Sequence, residues 1–578
     1  MRKIPAAWLY LALILALFLA YLGWIGPGGS FGWYHDDTVY FSTAQSLAQG
    51  HGYRMPSVPG APYETKYPGL YPWLLSWIWR WWPLFPANVA PAVWMTALFG
   101  CVFLAAAFQL LRRLAGFGDW RALLLVALCA FHAQVLFLSG AVLSDVPFTA
   151  LALAAAVVAD AALDHESHRS WPLVVAAVLA GLSVLTRGFG LAVIAGIAAT
   201  AIYRRAFRRA AVFCLVAAPF VVGPLVWSAL HAPTVAAAAG TVTGGMPAAP
   251  GGEPGWIGTW LYYTSYGGFW KLCVPNVKVL SSVVMRNLRS LLEQPASYCL
   301  FPPLGDGRPL GTMFCITLSV WILSGVVRQA RADRWRPIHF IFPFNAAMAV
   351  GWNYGLMDRF LLLFLPLFYA GLWVEAGHFF NMLRTNFRGT RPASDRVLAA
   401  ILMAALSAVG LLAANDYLRG FRPELRALAA KRAALGQEKG ELYEWIRQNT
   451  DPGARFVAYE DVSLYLHTGR QAMRPIAFST EAFYMEDEGV LKRDLMHITD
   501  VARHIRARYW VVSSDDFDME TGTPLVDERM GQLKSVLPLV FRSHNGKVQL
   551  YDLGCLLDPD RTECGDARRL LLPTESTL

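Results

Sequence analysis

Long apolar runs separated by short polar stretches set the layout of this chain. The first, Trp8 to Ile25, is long enough to cross a bilayer. Further runs cover roughly 90–113, 122–139, 146–163, 172–186, 189–204, 210–229, 312–328, 338–353, 360–379 and 396–414. The pattern predicts about eleven helical spans. A sharper change comes near residue 416, where the sequence turns charged and polar. There, Leu425 to Gln448 reads as a helix stopped by Asp451-Pro452-Gly453. Arg455–Tyr459 and Tyr509–Ser513 read as strands, and Leu539–Leu553 as a hairpin turning at Asn545-Gly546. The expected architecture is a polytopic α-helical membrane domain over 1–415 and a soluble α/β domain over 416–578.

Two more segments lie between runs. Residues 26–89 carry polar groups and a Trp-rich amphipathic stretch, Tyr71 to Trp82, which suits the membrane interface better than a span. Residues 230–311 open with a Gly/Pro/Ala-rich stretch, Gly240 to Gly255, followed by Trp256, Trp260, Tyr262, Tyr263, Tyr266 and Trp270.

Composition agrees with a membrane protein: 55% of residues are hydrophobic and 16% charged, and mean hydropathy is +0.38. The net charge of +9 comes from short arginine clusters, not from a basic face interleaved with aromatics, so nucleic-acid binding is not expected. The clusters are Arg112, Arg113 and Arg121; Arg204, Arg205, Arg208 and Arg209; Arg328, Arg331, Arg334 and Arg336; and Arg384, Arg388 and Arg391. All fall on one side if Arg2 and Lys3 mark a cytoplasmic N-terminus. The two inter-run segments and the tail then face outward, which fits a multi-pass protein of the cell (inner) membrane with an extracytoplasmic C-terminal domain. The N-terminal run reads as a retained anchor, because no small-x-small cleavage site follows it.

Cys101, Cys129, Cys214 and Cys315 lie in or near apolar runs as packing residues. Cys273 with Cys299, and Cys555 with Cys564, form two local pairs in outward regions, so two disulfides are expected. Neither CxxC nor HExxH occurs, and a structural zinc site is not expected.

Charged residues at the outward ends of the runs are the candidates for chemistry. Asp36 and Asp37 follow the first run, with Tyr40 close behind. Lys66 opens Lys66-Tyr67-Pro68. Asp145 stands at the outward start of a run in Ser144-Asp145-Val146-Pro147, where helix capping is the plain alternative. Arg187 and Arg359 are lone cations at outward ends, against the usual inside bias. Carboxylates and isolated cations on one side of a membrane suit a reaction on an anionic, lipid-borne substrate.

In motif order the chain resembles the GT-C clan of polyprenyl-phosphate-dependent glycosyltransferases. It is most similar to the branch of protein O-mannosyltransferases, aminoarabinose transferases and lipopolysaccharide-core sugar transferases. Asp36-Asp37 with Tyr40 matches that family's acidic pair, Lys66-Tyr67-Pro68 its Lys-Pro-Pro-like segment, and Asp145 its acid at the start of a later span. Arg187 matches the basic residue of a Thr-Arg/Lys-Gly segment, and Arg359-Phe360-Leu361 the late Arg-Tyr-Leu motif. The chain departs in having Asp rather than Glu at 37, and Thr65 rather than an acid before Lys66.

The resemblance implies sugar transfer, with inversion, from a polyprenyl-phosphate-linked donor to an acceptor hydroxyl of a cell-envelope glycan, lipid or protein. Asp36 would be the general base, with Asp37 and Asp145 as acidic partners. Lys66, Arg187 and Arg359 would bind the donor phosphate. A divalent metal cation of unspecified identity would sit on Asp37 and Asp145. Burial and mutual repulsion should raise one pKa of the Asp36–Asp37 pair. The tail's Glu460, Asp461, Asp515 and Asp516 read as solvated groups. A transporter or flippase of lipid-linked sugars is the alternative; it has no evident need of paired carboxylates, and no internal repeat marks one.

The cation pattern makes one expectation directly testable. A single cysteine at Ser513 should react with an impermeant maleimide added to intact cells, and one near Arg388 should not; the reverse result inverts the topology.

Overall fold

The computed structural model describes residues 5–26, 28–164, 171–232, 255–300, 309–353, 358–388, 422–485, 487–518 and 524–557. Every predicted apolar run within them is helical. The first part of the chain holds α1 (Ala6–Ile25), α2 (His35–Ala48), α3 (Leu70–Trp81) and α4 (Val89–Arg113). Next come α5 (Asp119–Ala130), α6 (Ala133–Ser139), α7 (Asp145–Asp164), α8 (Trp171–Thr186), α9 (Gly190–Tyr203) and α10 (Phe207–His231). After them stand α11 (Gly255–Thr264), α12 (Tyr266–Cys273), α13 (Val277–Leu300), α14 (Pro309–Ala332), α15 (Pro337–Val350) and α16 (Leu365–Arg388), the last entered through a 3₁₀ segment at Asp358–Phe364.

Eleven spans is more than helix length alone supports. Among the described residues six helices are long and apolar enough to cross, and the α5–α6 pair, bent by 62°, makes a seventh if counted as one broken span. Helices α8, α9 and α15 are apolar but shorter, and the run expected at 396–414 lies outside the described residues. The difference has a plain cause. At 1.5 Å per residue, a helix of 14 residues is about 21 Å long, short of a hydrocarbon core of about 30 Å.

Helix α7 is the central beam, packed against α4 and α8. Its alanine-rich sequence lets both neighbours approach closely. The closest backbone contact is between α14 and α16. A Cβ on Gly325 would come within 2.1 Å of the Gly371 carbonyl oxygen, so only glycine fits.

At its far end α7 carries a second acidic group. Asp160 is buried among Arg336 at 2.5 Å, Arg204 at 3.3 Å and Arg113 at 3.6 Å, and Asp164 adds contacts to Arg204 and Arg336. Three of the arginine clusters therefore meet on one carboxylate.

Helices α2 and α3 lie beside the bundle. Val39, Tyr40, Phe41 and Ala44 of α2 pack on Tyr71, Leu75, Ile78 and Trp79 of α3. The opposite face of α3 presents Trp73, Trp77 and Trp81 one above the next, all exposed. This spacing of four puts them on one stripe, the pattern of an interface helix.

The tail begins with α17 (Arg422–Asn449), then β1 (Phe456–Val457), α18 (Asp461–Thr468), β2 (Ala472–Met473), β3 (Tyr509–Ser513), β4 (Leu539–Arg542) and β5 (Val548–Asp552), with short helices between β2 and β4. The sheet order is β2-β1-β3-β5-β4. Strand β1 is parallel to β2 and β3, while β5 runs antiparallel to β3 and β4. The β4–β5 hairpin turns where predicted, with Gly546 at φ 71°.

Two cores serve the tail. One is its own: Leu435, Leu442 and Ile446 of α17 against Phe456, Val511, Val548 and Leu550 of the sheet. The other is shared, with Trp510, Val512 and Phe517 in one cluster with Met55 and Val58 and with Trp256, Trp260 and Phe269. Backbone bonds seal the join, among them Ala472 N–H to Ser57 C=O at 2.8 Å.

The predicted Cys273–Cys299 bridge is not present. Both thiols are free and buried. Cys273 ends α12 and packs in the shared core, whereas Cys299 sits late in α13 in the bundle's core. Proximity in sequence misled because the α13 helix separates the two by its own length, about 35 Å. The Cys555–Cys564 pairing lies outside the described residues.

Removing the Asp160 carboxylate would leave three guanidiniums facing one another. The Asp160→Ala variant should lose about 2–3 kcal/mol of stability, at or just below the range for broken buried pairs because its arginines are partly solvated. Asp164→Ala should cost under about 1 kcal/mol. Thermal unfolding in detergent reads both.

Candidate active site

Chain geometry brings two acidic and two basic residues together from four separate helix boundaries. Asp36 is in the first turn of α2, and Asp145 opens α7. Arg187 directly follows α8, and Arg359 stands in the 3₁₀ segment before α16. Arg187 Nη1 lies 2.6 Å from Asp145 Oδ1. The Arg359 guanidinium reaches both acids, with Nη2 3.1 Å from Asp36 Oδ2 and Nη1 3.8 Å from Asp145 Oδ2. Tyr67 donates to Asp36 Oδ1 at 2.6 Å, and Tyr40 and Ser144 share a hydrogen bond of 3.0 Å below it. Arg359 Nε and Nη1 are buried and make no hydrogen bond among the described residues.

This network edges a cavity of about 740 Å³, within the range of small-molecule sites. Asp36, Lys66, Tyr67, Arg187 and Arg359 line it from the membrane side. The Lys66 ammonium lies 3.7 Å above the Tyr262 ring. Across the cavity stand tail residues, including Lys439, Glu460, Arg474 and Asp515.

Asp37 is placed apart. It is buried, is absent from the cavity wall, and accepts from Gly32 N–H at 2.9 Å. Its position in the first helical turn therefore closes the loop that enters α2. The adjacent carboxyls are driven in opposite directions. For Asp36, burial raises the pKa, but Arg359, the Tyr67 hydrogen bond, Arg187 and Lys66 outweigh it and hold the group below the ordinary carboxylate range. For Asp37, burial dominates and pushes it well above that range, against backbone N–H groups of Gly32, Thr38 and Tyr34 and with added repulsion from Asp36. One member of the pair is raised, as expected, but it is not the member facing the cavity.

The residues present do not suit a metal ion. Both Asp145 oxygens face guanidiniums, which would repel a dication, and of the Asp37 oxygens Oδ2 accepts from its own loop while Oδ1 is buried without a hydrogen-bond partner among the described residues. No group of three or more His, Cys, Asp or Glu side chains gathers as a metal site among the described residues.

The tail's acids are not the solvated groups that their polar surroundings imply. Asp461 is fully buried, with Oδ1 3.1 Å from His35 Nε2 and Oδ2 accepting from the Tyr263 hydroxyl at 2.6 Å. Lys439 pairs with Glu460 at 2.8 Å and Asp515 at 3.1 Å, and burial pushes the Asp516 carboxyl up to about 8. Tyr67 comes with the Lys66-Tyr67-Pro68 segment, but His35, Tyr262 and Asp461 belong to the neighbourhood of the site although no motif marks them. His35 could have been suspected from its place beside Asp36; nothing in sequence pairs it with a residue 426 positions on.

No family model matches the chain, and no curated protein does. Among solved structures it is similar to ArnT from Cupriavidus metallidurans bound to undecaprenyl phosphate, at 13% identity over 96% of this chain and 100% of that one, with a TM-score of 0.49. It is also similar to the archaeal oligosaccharyltransferase AglB from Archaeoglobus fulgidus in complex with an inhibitory peptide and a dolichol-phosphate. That match has 14% identity over 94% of this chain and 74% of that one, with a TM-score of 0.48. Identity this low leaves the chemistry of the site to be read from its own residues.

The opposed carboxyls can be told apart chemically. Dicyclohexylcarbodiimide attacks protonated carboxyls, so as the pH is raised through and above the ordinary carboxylate pKa, Asp37 should still be labelled where Asp36 is spared in tandem mass spectra. In Arg359→Met, Asp36 should become labelled as its main cation is lost. Labelling of Asp36 in the wild-type protein would refute this ordering.

Proposed function

We propose that this protein is a membrane glycosyltransferase that moves a sugar from a polyprenyl-phosphate-linked donor to an acceptor hydroxyl on the extracytoplasmic side, with inversion. The observation that carries this reading is the Arg359 guanidinium, shared between Asp36 and Asp145 with donors to spare, at the edge of a cavity that also holds Lys66 and Arg187. Such a group binds an anion without being released from its carboxylates first. The exposed Trp stripe on α3, packed against the helix that carries Asp36, suits a substrate delivered from the bilayer surface.

In the reaction, the acceptor oxygen attacks the anomeric carbon as its proton passes to Asp36. The bond from that carbon to the phosphate oxygen breaks, and its electron pair leaves with the lipid phosphate. One displacement inverts the centre. Arg359, Arg187 and Lys66 stabilise the charge that grows on the leaving phosphate. Asp36 alone is a weak base while Arg359 and Tyr67 hold it. A phosphate on the spare Arg359 donors brings its own negative charge beside Asp36 and offsets the guanidinium, so Asp36 gains basicity when donor is present. Asp145 keeps Arg187 and Arg359 in place.

Asp36→Asn should lower turnover about 10²–10⁴-fold, with the affinity for undecaprenyl phosphate little changed. Arg359→Ala should weaken that affinity about tenfold to a hundredfold, the worth of a charged hydrogen bond, and lower turnover as well. Lipid-phosphate binding and sugar transfer in membranes, measured on both variants, test the assignment. Normal transfer by Asp36→Asn would refute it.

A further inference from the structure

Asp36 is not alone in facing the cavity from the start of α2. His35, the residue before it, also lines the wall, and its imidazole is held from the tail. Asp461 is a carboxylate and can only accept, so the 3.1 Å contact places the imidazole proton on Nε2. That leaves the Nδ1 lone pair for the hydroxyl of Tyr262, 3.4 Å away and itself part of the cavity wall. Burial keeps His35 below the usual histidine pKa, with Asp461 opposing and with Arg474 and Lys66 adding to the fall, so the lone pair is free at neutral pH. The Asp461 side chain is fixed in turn by Tyr263, whose hydroxyl oxygen accepts from Arg474 N–H at 3.1 Å.

We infer that Asp461 is a positioning residue of the active site, and that the His35 Nδ1 it orients receives a second hydroxyl of the acceptor, displacing the long contact from Tyr262. This rests on the transferase reading and names the acceptor's chemical class. Two hydrogen-bond acceptors on the wall of one cavity, Asp36 for the reacting hydroxyl and His35 for a second one, call for a substrate with at least two hydroxyls. That is a saccharide or polyol. A serine or threonine side chain has one hydroxyl and cannot occupy both. The tail thereby takes part in choosing the acceptor, while the donor phosphate is bound by residues of the membrane domain.

The test uses the full-length protein in detergent. Undecaprenyl phosphate is the probe for binding on the donor side, polyprenyl-phosphate-linked sugars purified from the host's membranes and held at one saturating amount supply the transferred sugar, and a glycolipid extract of membranes from the host lacking the gene serves as acceptor pool. Asp461→Asn and His35→Ala should each raise the amount of extract needed for half-maximal transfer at least tenfold, with undecaprenyl phosphate affinity within twofold of wild type. His35→Gln, whose amide oxygen can accept the hydroxyl, should recover part of the loss. Mass spectrometry should find the new sugar on a saccharide hydroxyl. Unchanged half-saturation in both variants, or the sugar on serine or threonine, overturns the inference and leaves the transferase reading standing. Equal loss of lipid-phosphate binding in both variants also overturns it, since the pair would then be merely structural. A wild-type protein that neither binds undecaprenyl phosphate nor transfers sugar removes the transferase reading, and this inference with it.

Discussion

A guanidinium shared by two carboxylates, Arg359 between Asp36 and Asp145, is the contact on which the rest of the architecture depends. Charges at the edge of an apolar bundle are tolerated only when they are paired or wet. Each partner arrives on a different element, so satisfying the pairing fixes where the 3₁₀ segment before α16, the start of α7 and the start of α2 meet. Arg187 extends the same rule to the end of α8. The cavity follows from this pairing, because helices tied at these ends leave space between them and the docked tail.

The beam α7 repeats the device at its other end, where Asp160 collects three arginines. Both ends keep a buried guanidinium donor without a hydrogen bond, Nε of Arg336 at the one and Nε and Nη1 of Arg359 at the other. They differ in what they border. Arg359 opens on the space of about 740 Å³, whose wall includes neither Asp160 nor its arginines. The same pair of residue types thus acts as a clamp at one end and as a receptor at the other, and what separates them is access.

Much of the fold was legible because hydrophobic periodicity is local. Every described apolar run is a helix, the Asn545-Gly546 hairpin is where turn chemistry puts it, and a sheet stands in the polar part of the chain where strands were expected. The span count was less legible. Runs such as Gly190–Tyr203 are apolar enough but end early, and composition does not report where a helix stops. In the site, Asp36, Lys66, Asp145, Arg187 and Arg359 stood out as charges in apolar surroundings. Asp37 stood out equally, although its carboxylate closes a turn instead of facing the cavity. His35 and Asp461 did not stand out, because each looks ordinary alone and only the folded chain sets them together. The Cys273–Cys299 expectation failed for the converse reason: a helix between two neighbours in sequence carries them apart.

The core that the tail shares with the two inter-run segments also has a meaning in time. A chain is made from its N-terminus at about 5–20 residues per second. His35 is synthesised 426 residues before its partner Asp461, so roughly 20–90 s separate them at that pace. Through that interval α2 lacks Val462, which packs in its core in the finished protein, and the Trp256–Phe269 region, once made, lacks the tail residues that cover it. The cavity is therefore unformed while the membrane helices are still being inserted, and a ribosome that stops early leaves behind a bundle with no assembled site. Completion of translation acts as a gate on activity.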